Sequence, residues 1–306
     1  MTSVAGNLDQ PATPPAFQHV SGGRKVKNAI ATGLVSLAFA VAVVPLVWLL
    51  WSVLEKGFQY VLDADWWQKS FAGLTGRQFG GGVYHAVYGT LVQALICAAI
   101  AVPIGLLVAV YLVEYGKRGR LGKAVTFTVD ILSGVPSIVA ALFIYALWVT
   151  TFGFSRQAFA VSLALVLLMI PIVVRTTEEL LKVVPDELRE ASYALGVPKW
   201  KTILKVVIPT AFGGIVTGIM LGLARVIGET APLLILVGYS KNINLNPFDG
   251  FMGALPTMIN QDRTELALQP AEDRVWAAAL TLILLVLALN LLARVMARFS
   301  AIKSDK

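Results

Sequence analysis

The sequence predicts an all-α integral membrane protein with six transmembrane helices, and three observations carry that prediction. Hydrophobic residues make up 57% of the 306 positions and charged residues only 14%, against about a quarter charged in a soluble domain. Six apolar stretches, 29–54, 84–113, 124–152, 158–181, 206–238 and 275–298, are each long enough for the roughly 20 residues that cross a bilayer as a helix. The basic residues also alternate along the chain. They flank the first span (Arg24, Lys25, Lys27), fill the second connection (Lys117, Arg118, Arg120, Lys123) and the fourth (Lys182, Arg189, Lys199, Lys201, Lys205), and cluster at the end (Arg294, Arg298, Lys303, Lys306). The segments between, 55–83, 153–157 and 239–274, are mixed or acidic. The positive-inside rule then puts both termini and the second and fourth connections in the cytoplasm of a plasma-membrane protein.

Taken in order, residues 1–23 are rich in Pro, Ala, Gly, Ser and Thr and read as a disordered cytoplasmic tail. Residues 24–306 then form one transmembrane domain. The first apolar run is too long for a signal peptide and lacks a cleavage site, so it is a retained helix. Trp66 and Trp67 follow it on the external side, where aromatic rings anchor helix ends at the interface. The second span holds Cys97, the one cysteine, which reads as a small buried apolar side chain. In the third, Ser133 and Ser137 flank Gly134 and Pro136, and the hydroxyls either satisfy backbone groups that the proline frees or offer contacts to a passing solute. The third and fifth spans exceed a straight crossing, so they tilt, break or project.

Several functions are excluded. His19 and His85 stand in unrelated contexts, no zinc spacing occurs, and no serine–histidine or cysteine–histidine set stands out. The segment "GKRGRLGKA" has the wrong glycine spacing for a phosphate-binding loop, and Ala124 stands where a magnesium-holding hydroxyl is needed. The chain therefore has no ATPase site of its own, no metal and no cofactor. The charge of +7 is a topology signal, not a nucleic-acid patch.

The fourth connection is longer than a turn and has its own helical pattern. Asp186 follows Pro185 at a helix start, with Glu187 and Glu190 in the first turns. Leu188, Ala191 and Leu195 recur at helical spacing. Gly196 ends the element and Pro198 opens the next. An amphipathic helix thus lies on the cytoplasmic face, either resting on the membrane or presented to a soluble partner. The spacing Glu190-Ala191-Ser192, three residues, Gly196, nine residues, Val206-x-Ile208-Pro209 resembles the EAA loop of ABC importer permeases, with Ser192, Val206 and Ile208 as conservative departures. The resemblance implies a type I ABC importer permease fold, with 185–209 as the loop whose coupling helix docks on an ATPase subunit through Glu190, Ala191, Ser192 and Gly196. More narrowly, "IPIVVRTTEELLKVVPDELREASYALGVPKWKTI", "GLARVIGETAPLL" and "SGVPSIVAALFIYAL" resemble the A-type permease family of bacterial phosphate-specific importers, over about residues 85–298. The partners it implies are a C-type permease, a dimer of ATPase subunits that bind ATP and magnesium, an extracytoplasmic phosphate-binding protein and a phosphate-regulatory protein. The rival readings are an ABC permease for another oxyanion or small solute, and a secondary transporter; the EAA loop opposes the latter.

The fifth span carries Gly214, Gly218 and Gly222 at every fourth position, a small-residue stripe that lets backbones approach. Continued as one helix at about 100° per residue, it brings Arg225 and Glu229 within roughly 20° of the direction of Gly218. Both charges are then expected to face protein. They form a structural i,i+4 ion pair or a site for an anion. Arg175, near the end of the fourth span, either snorkels and pairs with Glu178 or Glu179 or meets substrate. The family resemblance favours the substrate pathway for Arg175, Arg225 and Glu229. Arginine suits that role, because it stays charged when buried and its planar fork fits phosphate oxygens.

Overall fold

The computed structural model describes residues 22–75, 77–116, 119–265 and 269–302. Every regular element among the described residues is helical. The expected tail lies outside the described residues except for Gly22 and Gly23, which open the first helix; Lys117, Arg118, Lys303 and Lys306 lie outside them as well.

The chain forms two units, 1–52 and 53–306. The described part of the first is helix α1 (Gly22–Val61) as far as Ser52. Leu34, Phe39 and Trp48 are all exposed, as on a helix apolar around its whole circumference. Its 40 residues extend about 60 Å at 1.5 Å per residue, so the helix continues well past both ends of the expected span.

In the second unit, α2 (Ala64–Gln68) is followed by α3 (Tyr84–Val110), which runs on through a wide turn at Tyr111–Tyr115. Next come α4 (Arg120–Gly134) and α5 (Ser137–Ile144), the latter extended by a wide turn at Tyr145–Thr151, and then α6 (Ala158–Val183). The fourth connection contains α7 (Asp186–Ala194) and α8 (Lys199–Thr202), which leads through a wide turn at Ile203–Val207 into α9 (Ile208–Ile227). The chain closes with α10 (Ala231–Leu236), α11 (Leu255–Asp262) and α12 (Gln269–Ile302). Five helical segments among the described residues are long and apolar enough to cross a membrane, six if α4 and α5 form one bent span.

The third and fifth spans, expected to tilt, break or project, are both interrupted. The third bends by 105° between its halves. Val135 is extended, with φ −70° and ψ 125°, because a residue before proline is pushed out of the helical region, and Pro136 has no N–H to continue the ladder. Ser133 donates to the carbonyl of Asp130 at 2.7 Å, so it serves the backbone there. The fifth stops at Ile227. Gly228 caps α9, and Pro232 near the start of α10 cannot donate to the carbonyl of Gly228.

Helix α6 is the centre of the second unit, packing against α3, α4, α5, α9 and α10. Cys97 and Met169, both buried, meet at 3.6 Å between their sulfurs. Gly105 of α3 lies so close to Val173 that a Cβ there would stand 2.7 Å from its Cγ1. Away from the basic connections, α2 and α11 cap α12. Trp66 is buried there and donates to Thr281 at 3.0 Å, so it is a core residue of the cap and not an interfacial anchor; Trp67 is exposed. Arg274 pairs with Asp262 at 3.2 Å, both buried, and stacks over Phe71.

Candidate translocation site and coupling loop

The glycine stripe positions the site. A Cβ at Gly214 would meet Leu180, one at Gly218 would meet Thr176, and one at Gly222 would meet Met169 and Ile172. Ascending numbers on α9 thus oppose descending numbers on α6, and the helices run antiparallel with their backbones close. Arg225 sits in the last turn of α9, where a cation complements the negative end of the helix dipole.

Arg225 and Glu229 form an ion pair at 3.2 Å, but the arginine side chain is 60% exposed and the glutamate 12%. Glu229 lies beyond the end of α9, so the helical projection that placed it near the direction of Gly218 does not apply to it. Arg225 is not covered as expected: among the described residues its face is open. An exposed pair of this kind contributes only about 0–1 kcal/mol. Most of the guanidinium's N–H donors remain available to an anion.

Arg175 is held differently. It pairs with Asp130 of α4 and with Glu178 at 2.7 Å, and Glu178 also binds Lys182 at 2.7 Å. Glu178 is the local partner; Glu179 is exposed and makes no ion pair among the described residues. Asp130, 45 residues away in sequence, has no periodic signal that sequence reasoning could have used. A cavity of about 400 Å³ opens beside this network, with Lys123, Thr126, Phe127, Asp130, Glu178 and Lys182 among its walls. Thr176, next to Arg175, lies opposite Gly218, and Arg225 lies seven residues further along α9. At 1.5 Å per residue the two arginines stand about 10 Å apart in depth, so they do not form one clamp.

The fourth connection is built around α7. Gly196 adopts φ +75°, the left-handed region that glycine enters without a Cβ penalty. Its N–H donates to Tyr193 at 2.9 Å and that of Val197 to Ser192 at 3.2 Å, the two bonds of a Schellman stop. Glu190, Ala191 and Gly196 are exposed. So are Leu188, Leu195 and Trp200, leaving an apolar outer face. Ser192 is buried and bonded to Thr202 at 2.8 Å, so it ties α7 to α8 and does not reach that face.

Sequence reasoning missed the residue that fixes this loop. Arg189 is buried and pairs at 3.0 Å with Glu114, also buried. It donates further to the carbonyls of Leu181 at 2.9 Å and Val184 at 2.6 Å, and to Asp186 at 3.1 Å. One guanidinium therefore joins α7, the end of α6 and the turn after α3. Its position directly before Glu190 was visible, but no local pattern pointed to Glu114. Lys199 donates to the backbone carbonyl of Glu114 and stacks over Tyr115. The Tyr193 phenol is raised above its ordinary pKa by partial burial and then by the charge of Glu114.

Comparison with known proteins fits this arrangement. Residues 101–302 match the model for the binding-protein-dependent transport system inner membrane component. The phosphate transport system permease protein PstA 1 of Mycobacterium tuberculosis (strain CDC 1551 / Oshkosh) is 57% identical over 294 residues, 96% of each chain. The PstA protein of Mycobacterium leprae is 56% identical over 284 residues, 93% of each. Among solved structures, a bacterial alginate ABC transporter in complex with an alginate-bound periplasmic protein superposes with a TM-score of 0.64 at 14% identity, covering 90% of this chain and 96% of that one. That likeness speaks to the fold alone, a type I ABC importer permease fold. With the family model over residues 101–302 and the two curated relatives along nearly its whole length, the chain belongs to the family of binding-protein-dependent inner-membrane transport components, in its PstA branch.

Proposed function

We propose that this chain is a permease subunit of an ATP-driven importer of inorganic phosphate, lining the pathway together with a second permease. One observation carries the reading: in a chain this similar to phosphate permeases, Arg225 presents an exposed guanidinium on a transmembrane helix whose glycine face is already packed. A charge at that depth is costly without a functional partner. Arg225 attracts the anion. Glu229 accepts a hydrogen bond from the P–OH that phosphate keeps near neutral pH and repels an oxyanion without a proton, a repulsive route to specificity. Arg175 serves a separate level nearer α7.

The basic connections support a topology with both termini and α7 in the cytoplasm. There Glu190, Ala191 and Gly196 form the outward surface for an ATPase subunit, and Ser192 stiffens it from within. The ATPases bind ATP and magnesium. A C-type permease, an extracytoplasmic phosphate-binding protein and a phosphate-regulatory protein complete the assembly.

The test is co-expression with those partners, reconstitution in liposomes, and measurement of phosphate-stimulated ATP hydrolysis and uptake. Arg225→Gln is expected to remove most uptake with the complex still assembled. Full uptake by that variant, or stimulation by another oxyanion in place of phosphate, would sink the reading.

A further inference from the structure

The structure assigns a second anion site to the cavity between α4 and α6, with a phosphoryl oxyanion as its ligand and Asp130 as a built-in competitor for Arg175. This rests on the reading of Arg175 as a pathway residue and gives that level a ligand and a release device.

Three features converge. The cavity's 400 Å³ is roughly a dozen times the volume share of one water, enough for a tetrahedral anion with part of its hydration shell. Its cations come from two elements. Lys123 of α4 lines it with no carboxylate partner among the described residues, and Lys182 of α6 lines it from the other side; Arg175 of α6 stands behind the wall, bonded to its lining carboxylates Asp130 and Glu178. Third, the carboxylates are unequal. Glu178 is nine-tenths buried and shared between Arg175 and Lys182, whereas Asp130 is 58% exposed and bonded to Arg175 alone. Breaking the buried contacts strands a charge away from water, while breaking the exposed one returns Asp130 to solvent. An arriving anion therefore displaces Asp130 and leaves Glu178 in place.

Site and competitor together set a weak affinity. Arg175 with Lys123 holds a phosphoryl group through charge-assisted bonds. The return of Asp130 to Arg175 then helps expel it, as transport requires binding weak enough for exit. Because Asp130 lies on α4, about one turn before that helix ends at Gly134 and the chain bends, the exchange also makes or breaks a tie between α4 and the central helix. Two sources share the ligand chemistry, the free phosphate ion and the headgroup of an anionic phospholipid.

The experiment uses the full complex in nanodiscs, without binding protein, with Thr126→Cys as reporter. Modification of that cysteine by a negatively charged thiol reagent is followed by mass spectrometry of this chain. In neutral phosphatidylcholine, inorganic phosphate should slow labelling, and the half-protecting concentration should fall about threefold in Asp130→Asn and rise in Arg175→Gln. In discs containing phosphatidylglycerol, protection without added phosphate would support the site and name the lipid headgroup as its occupant. No protection in either lipid would overturn the site, and an unchanged half-protecting concentration in both Asp130→Asn and Asp130→Ala would overturn the competitor. Uptake is read separately. Protection with normal uptake by Arg175→Gln would keep the site and remove Arg175 from the transport reading; loss of protection with Arg175-dependent uptake would do the reverse.

Discussion

Alanine at each of the three stripe glycines provides a graded test of the α6–α9 contact. Each substitution gains about 0.8–1 kcal/mol of helix propensity, so differences among the three isolate packing. At Gly218 the new Cβ would stand 2.5 Å from Thr176 Oγ1 and 2.7 Å from its Cβ. Rotating the hydroxyl relieves the first contact but not the second, because a Cβ is fixed by the backbone. The helices must separate there, and overpacking of that kind costs about 1–3 kcal/mol. At Gly214 the closest atom is Leu180 Cδ2 at 2.6 Å, the far end of a side chain that can change rotamer, so the cost is smaller. At Gly222 the nearest atoms are at 3.5 Å, ordinary contact, and propensity dominates. The expected order of stability is Gly222→Ala above Gly214→Ala above Gly218→Ala, with about 1–3 kcal/mol between the extremes. Thermal unfolding of the purified complex, followed by tryptophan fluorescence, reads it as a separation of several degrees. Equal midpoints for Gly218→Ala and Gly222→Ala, or a reversed order, would refute the antiparallel register derived from these contacts.

Three further outcomes are expected. Glu114→Gln strands the buried Arg189 charge and should destabilise the complex by about 3–5 kcal/mol, seen as a lower melting midpoint; a melting curve like that of the parent would remove Arg189 as the fixing point of α7. Ala191→Glu should lower phosphate uptake per ATP hydrolysed while Ser192→Ala, which loses only the inward bond to Thr202, leaves that ratio near normal; uptake and hydrolysis assayed together would expose the opposite pattern. In Glu229→Gln proteoliposomes whose ATPase runs without binding protein, sulfate should compete better against phosphate than in the parent, and an unchanged ratio would leave Glu229 as a structural partner of Arg225.

What was legible in the sequence was local. Pro185, Asp186, Gly196 and Pro198 bracket α7 because caps and stops act within a turn of the residue that supplies them. The glycine stripe announced a close contact because helical spacing gathers every fourth residue onto one face. Contacts that join distant segments were silent. Asp130 with Arg175, and Glu114 with Arg189, arise only when α4 and the turn after α3 are folded onto α6 and α7. Helix interruption was half legible. Pro136 and Pro232 mark where the ladder loses a donor, but prolines also sit inside α1, α3 and α6 without ending them, so proline alone does not decide. Trp66 misled for a related reason: its composition-level habit is interfacial, and only the fold of the cap provides Thr281 as a buried partner.

The grip of Arg189 on the last carbonyls of α6 has a mechanical consequence. Backbone carbonyls cannot swing away as side chains can, so a push on α7 is delivered to the end of α6 itself. That helix has 26 residues, about 39 Å of stiff rod. A tilt of about 5° at the gripped end becomes roughly 3 Å at the other, where α5 and α10 lean on it, so α7 has the leverage of a short crank on a long shaft.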